Sequence, residues 1–326
     1  MKESVFIKEN ADKWKHYEAV LKNRSSARAD DVADIYIRVT DDLSYASTFY
    51  PNSKSTAYLN QLSRSFHAGI YQNRLERYSR FISFFTVEIP KAVYEGHRQL
   101  LYSFLFFMGA ILIGGVSTAY DDTFARAILS DEYVNQTQQN IDDGDPMAIY
   151  KSSAPGNMFF GIAMNNVYVS FLAFVYGIFL SVGAVWLLIH NGIMVGAFVM
   201  FFAKQGLAQV AVLSIFLHGA LELSAIVIAG GAGMILGNSI LFPGTYSRTE
   251  ALRFAGKRGL KIVVGLVPVF ITAALFESYV TRHYAELPLA GSLIIILGSF
   301  AFIIFYFIVY PLRAQKKYKW QRLNYR

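Results

Sequence analysis

His218 and Glu222 are the residues whose types and spacing could do chemistry in an otherwise apolar setting. They lie near the middle of residues 209–237, QVAVLSIFLHGALELSAIVIAGGAGMILG, about the right length for a membrane-spanning helix with a few residues to spare. Being four positions apart, they share one helix face. An imidazole and a carboxylate so placed can share a divalent metal, relay a proton, or form a buried hydrogen-bond network. A carboxylate near mid-bilayer is costly, so Glu222 is expected to face protein or water rather than lipid. The spacing is HxxxE, not the HExxH of zinc proteases, and two ligands do not make a metal site. The three readings stay open at this level.

The elements that must position this pair follow from the rest of the chain. The face of His218 and Glu222 continues through Ala225, Ala229, Gly233 and Gly237, residues with almost no side chain. Small residues at this spacing let a second helix approach closely. The stretch therefore predicts a central helix buried in a bundle. The Gly-rich run 229–233 is no phosphate loop, because it lies inside an apolar span and no Lys-Ser/Thr follows.

The 326 residues are 54% hydrophobic but only 16% charged, against about 25% in an average globular chain. The deficit falls after residue 100, the profile of a polytopic membrane protein with a soluble portion. There is no cysteine, which excludes disulfides, thiolate metal sites and thiol catalysis. The net charge of +7 is unevenly placed. Arg313, Lys316, Lys317, Lys319, Arg322 and Arg326 crowd the tail, and Arg248, Arg253, Lys257, Arg258 and Lys261 follow the central stretch. Residues 120–157 are acidic, with Asp121, Asp122, Asp131, Glu132, Asp142, Asp143 and Asp145. Basic flanks on one side and an acidic loop on the other are the positive-inside pattern, so a lipid bilayer and not nucleic acid explains the charge. The acids lack the ligand spacing of an EF-hand and suggest a solvated face.

In chain order, residues 1–98 predict a cytoplasmic helical domain ending in an interfacial helix. Trp14, Tyr17 and Leu21 recur at helical spacing, as do Leu62, Phe66 and Ile70. Tyr50, Pro51, Asn52 and Ser53 signal a turn, with Ser55 or Thr56 as the following cap. Residues 99–311 predict a bundle of about six transmembrane helices, and 312–326 a basic cytoplasmic tail. The spans are expected at 101–118, 166–189, 192–203, 209–237, 261–277 and 289–310. Asn165 and Asn166 are placed at the outer end of the second, which is expected to stop in a tight turn at His190, Asn191 and Gly192. The third is short, either a tilted span or a re-entrant segment, with Gly196 on its close-approach face; Gly177 lies on the matching face of the second. Both termini come out cytoplasmic, as expected for a multi-pass protein of the inner membrane. The fold class is all-α.

The combination of Asn165-Asn166, the HNG at 190–192 and HGALELSAIVIAGGAG at 218–233 resembles the stage II sporulation protein M (SpoIIM) membrane family. The likeness covers about residues 100–310, and the segment containing YPNS and YLNQLSRSFHAGIY is similar to an amino-terminal extension of many non-sporulation members. The resemblance implies a membrane scaffold connected with the cell envelope, without sporulation itself. It further implies partners such as MoxR-type ATPases, von Willebrand A-domain proteins and RDD membrane proteins, and adds weight to His218, Glu222 and Asn191. No nucleophile elbow, kinase signature or dinucleotide fingerprint occurs, so no enzyme and no cofactor are expected. The leading expectation is an integral membrane scaffold or assembly factor. The alternative is a transporter or channel using His218 and Glu222 as an ion or proton site. The small-residue faces predict close helix contacts, within one chain or across a homodimer.

Overall fold

The computed structural model describes residues 2–22, 29–71, 77–151 and 154–323, in two compact units, Met1–Tyr78 and Ser79–Arg326. Arg326 of the basic tail lies outside the described residues, as do the side chains of Ile70, Arg77, Lys317, Lys319 and Arg322.

The first unit contains α1 (Glu3–Lys22), α2 (Ala29–Phe49) and α3 (Lys54–Tyr71). Its core gathers the residues at helical spacing, Phe6, Trp14 and Tyr17 against Val39, Leu59, Leu62 and Phe66. Trp14 Nε1 donates to Asp42 Oδ2 at 2.8 Å, and Lys13 pairs with the same carboxylate, so the one buried indole N–H is satisfied across two helices. The turn at Tyr50–Ser53 forms as expected, but its cap is Ser53, whose Oγ accepts from Thr56 N at 3.2 Å. Ser55 Oγ instead donates to Glu3 Oε1 at 2.9 Å and ties α3 to α1.

The second unit starts with α4 (Arg77–Ser83) at the boundary, a π turn at Phe84–Glu88, and α5 (Ile89–Glu95). This segment belongs to the bundle, not to the amino-terminal unit as the 1–98 division had it. Ile89, Ala92 and Val93 enter the main core, and Glu88 and Glu95 pair with Lys261 and Arg258 at 2.8 and 2.9 Å.

Among the described residues, six helices are long and apolar enough to cross a membrane. They are α6 (His97–Tyr120), α9 (Pro155–Tyr176), α10 (Val182–Lys204), α11 (Ala208–Leu241), α12 (Arg248–Leu275) with its continuation to His283, and α13 (Leu289–Ile304) with its continuation through α14 (Tyr310–Leu323). In the acidic stretch between α6 and α9 lie α7 (Asp122–Leu129) and α8 (Asp131–Asp142). Its acids are partly engaged rather than simply solvated. Asp121 caps α7, and hydrogen bonds from Thr123 hold its carboxyl below the usual range. Asp122 pairs with Lys204, and Asp145 with Lys151 at 2.7 Å.

The turn expected at His190, Asn191 and Gly192 does not exist. All three lie inside α10, which is one continuous helix of 23 residues, neither short nor re-entrant. The chain turns earlier, between α9 and α10, where Leu180 and Ser181 take left-handed φ of 52° and 71°. Asn191 Nδ2 donates to Leu187 O within its own helix at 2.8 Å, and a Cβ on Gly192 would meet Ala110 Cβ at 2.6 Å. The glycine is there for packing against α6, not for positive φ. The basic residues from Arg248 to Lys261 likewise form the first turns of α12, not a loop.

Small residues explain the bundle's tight centre. A Cβ on Gly177 would fall on the backbone carbonyl of Gly233, one on Gly233 on that of Ala173, and one on Gly237 on Ser181. Gly196 stands in the same relation to Ile111 O, and Ala225 and Ala229 are fully buried. Every small residue singled out from sequence is therefore buried within this chain.

Candidate functional site

Three helical elements meet at the acidic-loop half of α11. From α11 come His218, 6% exposed, and Glu222. From the end of α12 comes Glu277, its side chain 15% exposed. From α9 comes Asn166, 6% exposed. One ligand atom from each of His218, Glu222 and Glu277 lies within 4.8 Å of the others. His218 Nε2 faces Glu277 Oε2 at 3.9 Å, and its Nδ1 lies 3.1 Å from Thr281 Oγ1. The backbone of Ser214 bonds the imidazole as well.

Glu277 arrives there because α12 stops being an α-helix. Residues Phe276–Val280 form a π turn, closed by the Thr281 N–H to Phe276 O bond, and Thr281–His283 continue as 3-10 helix. The wider turn changes the phase of the side chains, and Glu277, Ser278 and Thr281 all face inward, the last two fully buried. Such irregular turns inside long helices recur at functional sites, and membrane proteins tolerate them where they line a cavity or ion site.

Hydrogen bonding at the centre is incomplete. Asn166 faces Glu222, yet Asn166 Nδ2, Glu222 Oε2 and Ser278 Oγ are buried and have no partner of proper geometry among the described residues. The network open from sequence has Glu222 accepting from His218 and from Asn or Ser groups on neighbouring helices; Asn166 of α9 does face Glu222, and the His218 ring also reaches Thr281 and the backbone of Ser214. Two carboxylates this close in a low-dielectric setting require a countercharge, a proton or a cation.

The acidic stretch covers this end of the bundle. Ala125, Val134 and Met147 pack on Phe198, Phe201, Phe202 and Ala211 of α10 and α11. Ser214 Oγ, one turn from His218, contacts Met147 Sδ at 3.5 Å. Burial raises the Tyr284 phenol above its ordinary value, with Asp145 adding to the rise. Lys204 Nζ reaches Asp122 and the carbonyls of Thr118 and Ala119, closing the end of α6.

Of the polar residues marked from sequence, the fold brings His218, Glu222 and Asn166 together. Asn166 sits in the middle of α9 and not at a helix end. Asn165 is on the outer face, donating weakly to Asn166 Oδ1 at 3.5 Å. His190 is exposed beside Trp186, and Asn191 serves its own helix. Glu277, Ser278 and Thr281 were missed. The available signal was Glu277 itself, the one acid between Glu250 and Glu286, set in the apolar context of the fifth span.

Residues 103–282 match the model of a family described as Stage II sporulation protein M, and residues 4–72 match one described as Domain of unknown function (DUF8413). No similarity to a curated protein or to a solved structure was found. The first match spans the centre and five of the candidate spans; the second coincides with α1–α3.

Proposed function

This chain belongs to the SpoIIM family, described as Stage II sporulation protein M, and from that premise we propose that it is a membrane transporter or channel built around a cation site at His218, Glu222 and Glu277. The observation that supports this is the arrival of Glu277, on a broken helix end, beside a His–Glu pair of the central helix. Ionisable groups inside a membrane bundle are costly and are kept where they line substrate or ion pathways. Discontinuous helices at the binding site are the usual companion of that role. The charge pattern supports the inner membrane, with the basic ends and both termini in the cytoplasm. We assign it no catalytic step.

Cation flux into liposomes carrying the full-length protein tests the reading. Manganese and proton entry, followed by internal dyes, should exceed that of empty vesicles and fall at least about tenfold in Glu222→Gln and Glu277→Gln. Flux no greater than in empty vesicles, from protein of proven fold, would refute it.

A second reading, an assembly factor of the cell envelope, is favoured by the amino-terminal unit. That unit has its own three-helix core, unlike anything transport requires. MoxR-type ATPases, von Willebrand A-domain proteins and RDD membrane proteins are the partners to test. A partner co-purifying in fixed ratio with a protein silent in flux would favour this reading.

A further inference from the structure

We infer that the cation taken at His218, Glu222 and Glu277 is a divalent transition metal, with the Asn166 amide as a fourth ligand. The inference rests on the cation site proposed above and names what that site holds. Its first support is the donor set. One imidazole nitrogen and two carboxylates, on separate elements, match the mixed N and O ligation of zinc, manganese or ferrous iron; alkali and calcium sites are built from oxygen alone.

The second support is geometry. Two ligands bound at about 2.0–2.2 Å to one ion lie at most about 4.4 Å apart. The 3.9 Å between His218 Nε2 and Glu277 Oε2 already falls inside that limit. That same distance is too long for a hydrogen bond. The widest separation in the triad, up to 4.8 Å, needs a closure of only a few tenths of an ångström. Thr281 holds the imidazole at Nδ1, as an outer partner of a metal-bound histidine does.

The third support is independent of the triad. Asn166 is 6% exposed and faces Glu222, and its Nδ2 has no partner of proper geometry among the described residues. Oxygen and nitrogen of an amide are assigned by their hydrogen bonds. Turned over, the Asn166 amide presents Oδ1 to the centre, giving up the 3.5 Å contact from Asn165 and the approach of its Nδ2 to Glu222. Glu222 Oε2, also buried without a partner, gains one in the ion itself. A single ion thus engages Asn166 and Glu222 together and supplies the countercharge for the two carboxylates.

The test uses the full-length protein in detergent, purified without a histidine tag and stripped with chelator. Zinc chloride or manganese chloride is added alone, and retained metal is measured after desalting. One equivalent per chain is expected, with a rise of several degrees in melting temperature. Glu277→Gln should weaken binding at least about tenfold, while His283→Ala, removing an exposed histidine beside Glu286, should not. Electron spin-echo spectroscopy on the manganese form requires no variant and should show one coordinated imidazole nitrogen. Substoichiometric metal, binding unchanged in Glu277→Gln, or no imidazole coupling overturns the inference. Metal binding without flux would sink the transport reading and leave the site standing. Proton flux without metal binding would do the reverse.

Discussion

The two halves of α11 present the same helix face, share α9 as a neighbour, and are built from opposite materials. Toward the basic ends, Gly233 and Gly237 bring backbone against backbone, with Gly177, Ala173 and Ser181 as partners, and Ala229 is fully buried. Toward the acidic stretch, His218 and Glu222 meet Glu277 and Asn166. The first half is complete in itself. Even the Ser181 hydroxyl there is bonded, to Met234 O at 3.2 Å. The second half leaves buried donors and acceptors without partners. Close packing in lipid is driven by contact and needs no ligand; a cluster of ionisable groups does not stabilise a bundle by itself. The contrast separates the part that holds the protein together from the part that acts.

The largest expected effect lies in the small-residue half. In Gly233→Leu the new side chain would begin on the Ala173 carbonyl oxygen and close to Ala184 Cβ, neither of which can swing away. The cost should reach or exceed about 3 kcal/mol, the upper end of overpacking in a core. Size-exclusion chromatography in detergent should show loss of the monodisperse protein. A variant that elutes and melts like wild type would break the comparison, since the seam would then be no tighter than lipid.

A pair of serines sharpens it at a smaller scale. Ser103 and Ser278 are both fully buried. Ser103 Oγ donates to Val227 O at 2.5 Å across α6 and α11, whereas Ser278 Oγ, at the polar centre, has no partner among the described residues. Ser103→Ala should lower stability by about 1 kcal/mol, and Ser278→Ala by less than about 0.5 kcal/mol. Thermal melts of the two variants in one detergent give the comparison directly. An equal or larger loss in Ser278→Ala would mean that the polar half is as well satisfied as the other.

The small-residue half was the more legible in sequence, and for a physical reason. Close approach requires Gly and Ala at fixed spacing on one helix, a local pattern, and all of Gly177, Gly196, Ala225, Ala229, Gly233 and Gly237 are buried where that pattern put them. The polar centre is assembled from three elements far apart in the chain. Only the His218–Glu222 pair, both on α11, carried a spacing to detect. Glu277 was taken as the end of a span because nothing local announces a π turn. The HNG was taken as a turn because Asn-Gly usually means positive φ in water. Inside a bundle the same glycine is favoured for having no side chain. The true turn at Gly177, Ile178, Phe179, Leu180 and Ser181 is apolar and has almost none of the usual turn chemistry.

The finest test of the contrast, read in access rather than in stability, concerns Lys204. Its ammonium closes the acidic end of α6 through two carbonyls and Asp122, and the pair is largely exposed, at 35% and 87%. Lys204→Met should cost less than about 1 kcal/mol, as exposed ion pairs and helix-end cations do. Its effect on access should be uneven. The chain has no cysteine, so single thiols report cleanly. Ser278→Cys places one at the polar centre, below the acidic stretch, and Ala229→Cys places one in the glycine seam. With Lys204→Met in the background, a membrane-impermeant maleimide should label Cys at 278 several-fold faster and Cys at 229 no faster. A lysine that merely decorates the surface would change neither rate. Faster labelling of both would mean that the seam opens together with the centre, and that the two halves of α11 form one unit after all.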